Sequence, residues 1–232
     1  MIVNTTNNLS AYGAPTQYVD ANGWRLAFRS IGEGTPIVLC TRFRGNMDLW
    51  DPLFLDSIVA KGFRVITFDY GGLGLSSGPR DYNPFSLARD AHDLAEALQL
   101  ERFAIAGWSL GGLAAQAFLA MHSDMVSHVV LIATGPPGSS VKPPEQLSYD
   151  IASKPENSLD DEIILFFEPR SAASRAAAAR SRERMASRTV DRSAPVPIDF
   201  AVSFLGKTPR NPIFPAEPVR AALKRRPFRF CT

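Results

Sequence analysis

Phe103-Ala104-Ile105-Ala106-Gly107-Trp108-Ser109-Leu110-Gly111-Gly112 is the stretch that decides the fold. Its first four residues are a short apolar run that reads as a buried strand, and the Ala- and Leu-rich residues 111–122 read as a helix. The turn between them fits Gly-x-Ser-x-Gly. Alone that pattern is weak: with Gly and Ser each about 7% of residues, it arises by chance in roughly one chain in ten of this length. The strand before it and the helix after it supply the specificity, because a nucleophile elbow is a strand-to-helix turn tight enough to hold its serine in a strained conformation. Gly107 and Gly111 are then the positions where a Cβ atom has no room.

The alternation extends outward from there. Residues 19–28 read as a hairpin around Asn22-Gly23, both of which tolerate positive φ. Residues 37–40, 64–68 and 128–133 read as further short strands, and helices are expected over residues 51–61 and 85–98. The second of these carries Leu87, Ala91, Leu94, Ala95 and Leu98 on one face. Apolar strands alternating with helices predict an α/β fold, a mostly parallel sheet with helices on both faces, over residues 1–135. Gly135-Pro136-Pro137-Gly138 ends the alternation, and residues 136–204 read as a helical lid with helices near 159–167 and 171–188. Residues 205–232 read as an irregular basic tail, since Pro209, Pro212, Pro215 and Pro218 interrupt strand and helix alike.

The 232 residues are 45% hydrophobic and 21% charged, the range of an ordinary globular chain. Their net charge of +2 conceals a seam: residues 1–204 hold 18 Lys and Arg against 22 Asp and Glu, while residues 205–232 hold seven basic residues against Glu217. An acidic body excludes a nucleic-acid partner, although Arg175, Arg180, Arg182, Arg184 and Arg188 stud one lid helix, which reads as a solvated face. The longest apolar runs fall far short of the roughly 18 residues of a membrane span, and residues 1–16 show no secretion signal. Cys40 and Cys231 make no disulfide framework. A cytoplasmic location is expected, with no membrane partner, no cofactor and no metal.

Acyl transfer needs two backbone N–H donors for a developing oxyanion, one from the residue after the nucleophile and one from a loop after an earlier strand. Leu110 and Phe43 stand at those places, the latter in Thr41-Arg42-Phe43-Arg44-Gly45. With Trp50 and Phe68-Asp69-Tyr70-Gly71-Gly72-Leu73-Gly74-Leu75-Ser76-Ser77, these residues resemble the α/β-hydrolase fold superfamily over about residues 17–135. The family's oxyanion loop usually reads His-Gly before an apolar residue; Thr41 and Arg42 stand at those positions here, so the match is one of register. The resemblance implies a serine hydrolase, an esterase or related acyl-transfer enzyme, with Ser109 as nucleophile and a small apolar ester-like substrate. It also implies a structural role for Asp69 in a sharp turn.

Serine needs an adjacent base. The family places a His after its last strand and an acid after the strand before, and neither is found here. His122 falls about 20 Å along the elbow helix at roughly 1.5 Å per residue, His128 opens a strand at the opposite edge of the sheet, and His92 lies mid-helix. Asp150, Asp160 and Asp161 read as surface or helix N-terminal acids. The chain is therefore expected to be C-terminally incomplete and impaired, through truncation or a shifted frame. A non-catalytic small-molecule-binding relative and an enzyme completed by a partner's base are the alternatives.

Overall fold

The computed structural model describes residues 11–136, 144–205 and 216–224. Most of the basic tail and Cys231 lie outside these residues, as does part of the Pro-rich stretch after Thr134. Asn22 (φ 48°) and Gly23 (φ 90°) make the two-residue turn between β1 (Gln17–Ala21) and β2 (Trp24–Ile31), with Ala21 facing Trp24. β3 (Thr35–Cys40), β4 (Phe63–Phe68), β5 (Phe103–Trp108) and β6 (Val126–Ile132) complete a six-stranded sheet in the order β1-β2-β4-β3-β5-β6. The β1–β2 and β2–β4 pairs are antiparallel; the β4–β3, β3–β5 and β5–β6 pairs are parallel.

The central strands are continuously apolar because both their faces are covered. Val38, Cys40, Ile66, Phe68, Phe103 and Ile105 join one core with Leu87, Ala91 and Leu94 of α2 (Pro84–Ala97) and Ala114 and Phe118 of α3 (Leu110–Met121). Their strand neighbours Ile37, Leu39, Val65, Ala104 and Ala106 face the other way, onto Trp50 and onto Leu55 of α1 (Pro52–Val59). Asp51 and Asn83 each cap a helix whose first residue is proline, a position where the missing N–H costs nothing. The expected mostly parallel α/β sheet with helices on both faces is what the chain forms. Among the described residues the sheet ends at β6, where Val130 and Leu131 are each 43% exposed.

Beyond the sheet come α4 (Gln146–Ala152), α5 (Leu159–Phe166), α6 (Ala172–Ala186) and α7 (Ile198–Leu205). Ser158 and Asp161 form a reciprocal capping box at the start of α5, so Asp160 and Asp161 are helix N-terminal acids, as the sequence suggests. Lys154 and Ser158 hold the Asp161 carboxyl down to about 2. The reading of residues 205–232 as irregular needs correction, because Ala216–Lys224 form a helix, α8, packed on α3. Pro218 is the third residue of that helix, in the first turn, where a backbone N–H has no intrahelical acceptor to lose. No helix among the described residues is long and apolar enough to cross a membrane.

Candidate active site

Ser109 sits between β5 and α3 with φ 53° and ψ −116°, outside the conformations an L-residue prefers. Its surroundings enforce this. The Ser109 N–H donates to Ile132 O at 2.9 Å, and its carbonyl accepts from the Gly112 N–H at 2.9 Å. A Cβ on Gly107 would stand 2.1 Å from Gly111 O, and one on Gly111 would stand 2.1 Å from Cys40 O. The two glycines of the motif are thus contact points between backbones, with β3 directly behind the turn.

Ser109 opens onto a cavity of about 1520 Å³, larger than the roughly 300–1,000 Å³ of common small-molecule sites. Phe43 and Leu110 border the same cavity, whose apolar wall includes Leu113, Phe166, Val196 and Phe204. Leu110 is the first residue of α3, so its N–H has no acceptor within the helix. Among the described residues the Phe43 N–H makes no backbone hydrogen bond. The loop around Phe43 is shaped by Arg44 (φ 56°), whose N–H donates to Tyr82 Oη at 3.0 Å. The Arg44 guanidinium donates to Ala152 O, Lys154 O and Pro155 O at 2.9, 2.6 and 2.7 Å, which ties the end of α4 to this loop.

Asp69 is buried and structural, accepting from the Met47 N–H, the Leu75 N–H and Ser193 Oγ at 2.8, 2.9 and 2.6 Å; burial raises its pKa against those bonds. Asp48 beside it pairs with Arg29 at 2.6 Å and accepts from the Ser193 N–H, so the segment after α6 is pinned to the core. Burial pushes the Cys40 thiol up to about 12, which keeps it a thiol and removes it as a rival nucleophile.

The histidines lie elsewhere. His92 and His122 stack on each other at 3.8 Å between α2 and the end of α3. There His92, Asp93 and Glu96 bring potential ligand atoms within 4.8 Å of one another, apart from Ser109. His128 faces Ala104 across the β5–β6 pair, five residues and so roughly 16 Å of strand from Ser109 at about 3.3 Å per residue. Among the described residues no His borders the cavity. One cavity residue was visible in the sequence only as a departure from a pattern: Arg42, whose guanidinium carbon lies 4.6 Å from the Phe166 ring centre and 5.1 Å from that of Trp108.

A family model of the alpha/beta hydrolase fold matches residues 35–215. The chain belongs to the alpha/beta hydrolase fold family. An alpha/beta hydrolase fold protein from Chitinophaga pinensis superposes with a TM-score of 0.73 at 27% identity, covering 94% of this chain and 88% of its own. The AB hydrolase superfamily protein YisY of Bacillus subtilis is 29% identical over 143 residues, 61% of this chain and 51% of its own length. A protein of Synechocystis sp. whose name assigns it provisionally to the non-heme chloroperoxidases is 38% identical over 114 residues, 47% of this chain and 40% of its own. The chain spans between 35% and 51% of the length of the curated relatives it matches.

Proposed function

We propose that this alpha/beta hydrolase performs serine acyl-transfer chemistry on a small, largely apolar carboxylic ester in the cytoplasm, with Ser109 attacking the carbonyl carbon. The N–H groups of Leu110 and Phe43 receive the developing oxyanion, and the N-terminal dipole of α3 adds to that field. The observation that carries this reading is the strained Ser109 backbone at a strand-to-helix turn opening onto the cavity. An acyl-enzyme then needs water activated by a base. With no imidazole on the described cavity wall, acylation is slow and deacylation slower. Ester cleavage and perhydrolysis part only at that second step, the first being common to both.

The test uses p-nitrophenyl acetate with and without free imidazole, together with a fluorophosphonate label. The expected result is labelling confined to Ser109, a burst of no more than one equivalent, and turnover that, once the rate with imidazole alone is subtracted, rises with imidazole in the parent but not in Ser109→Ala. Equal turnover and labelling in Ser109→Ala would refute the reading. The absence of an imidazole from the described wall also favours a second reading, a non-catalytic binder of the same fold; it predicts ligand binding with no labelling at all.

A further inference from the structure

Among the described residues Arg42 is a cation without a partner acid, and it borders the same cavity as Ser109. It follows Cys40 and Thr41 at the end of β3, where Cys40 pairs with Gly107 of the elbow. One of its N–H groups, on Nη1, donates to Phe43 O at 2.9 Å, while its buried Nε has no hydrogen-bond partner among the described residues. Among the described residues no carboxylate approaches its nitrogens within 4.0 Å. The acid that acts on it most, Glu162 of α5, lies beyond that distance and faces Arg182 at 3.8 Å. Burial raises the Glu162 pKa and so weakens even this counter-charge, while Arg44 adds a like charge nearby. Arg42 is half-buried and borders the cavity, and burial pulls its guanidinium down to about 10.

A guanidinium taken out of water without a carboxylate is costly, and the faces of Phe166 and Trp108 recover only part of that cost. Its planar fork suits a carboxylate in a way that no apolar ligand group does. We propose that Arg42 is the counter-charge for a carboxylate on the substrate, so that the ester at Ser109 is a mono-anion, such as the half-ester of a dicarboxylic acid. The ester part rests on the function proposed above; the carboxylate site does not.

The two are separated by measuring binding in the Ser109→Ala chain, where no chemistry can occur. Monoethyl adipate and diethyl adipate, which differ by one charge, are titrated by calorimetry and by tryptophan fluorescence. The half-ester should bind about tenfold tighter than the diester. That preference should vanish in Arg42→Gln and survive in reduced form in Arg42→Lys, which keeps the charge without the fork. Thermal melts identify a variant that fails to fold, and the Lys variant then carries the comparison. Equal affinity for the two esters, a preference unchanged in Arg42→Gln, or no binding of either at millimolar concentration would overturn the assignment and leave Arg42 as a bolt between α5 and the core. Fluorophosphonate labelling of Ser109 in the parent chain fails or succeeds independently of every one of these outcomes.

Discussion

Asp90 on α2 accepts the Gly71 N–H at 2.8 Å and so holds the turn after β4 against the helix. Burial raises its pKa from 3.8 to about 6, the bond from Gly71 opposing and the nearby Asp93 reinforcing the shift. Between about pH 4 and pH 6 the folded chain therefore keeps a proton that the unfolded chain has released, and stability falls as pH rises through that window. Below it both states are protonated, and above it the full cost is present. At about 1.4 kcal/mol per tenfold change in proton affinity, that cost is on the order of 2–3 kcal/mol. Asn can accept the same N–H without a charge. Asp90→Asn should raise the melting temperature at pH 7.5 by roughly 4–12 °C, at about 2–4 °C per kcal/mol for a chain of this size, and leave it unchanged at pH 3.5. The assay is thermal unfolding followed by circular dichroism at both pH values. An equal gain at both would assign the effect to helix propensity, and a loss at pH 7.5 would show that the charged bond to Gly71 outweighs burial.

Two further perturbations test the scaffold. Gly111→Ala places a Cβ 2.1 Å from Cys40 O and 2.6 Å from Thr41 O, both backbone atoms, whereas Gly62→Ala meets nothing within 4 Å and strains only a φ of +83°. The first should cost about 3 kcal/mol or more and the second about 1 kcal/mol in urea unfolding; similar values would mean that the elbow can shift. Asp48→Ala leaves Arg29 and Arg188, 3% and 9% exposed, facing each other without their shared acid, and should cost about 3–5 kcal/mol. A loss under about 1 kcal/mol would show that the Asp191 carbonyl and Thr16 hydroxyl suffice for Arg29.

What the sequence revealed follows the range of the forces involved. Strands, hairpin and elbow were legible because each is set by neighbours in the chain: a turn that tolerates positive φ at Asn22-Gly23, apolar runs bounded by turn residues, and a Gly-Ser-Gly spacing between strand and helix. Helix α8 was not, since Pro218 reads as a breaker until its place in the first turn is known. The surroundings of Arg42 were not either, because they join residues 42, 108, 162 and 166, and the pin between Asp48 and Ser193 spans 145 residues. Such contacts leave no periodicity to read.

The seam in charge and composition near residue 205 bears differently on the two halves of the chemistry. Everything that strains Ser109 comes from β3, β5, β6 and α3, all before residue 135, and so does the backbone that would hold an oxyanion. Strain on the order of 1–3 kcal/mol at one residue persists only when packing over-determines it, and here that packing does not depend on a base. The elbow can therefore stay formed whether or not a base stands beside it. Substrate choice has a different dependence, since Arg42 meets Phe166 of α5 and Arg44 holds the end of α4. On the function proposed above, changes in residues 144–205 should accordingly alter which ester binds, while changes behind the elbow alter whether Ser109 reacts with any ester.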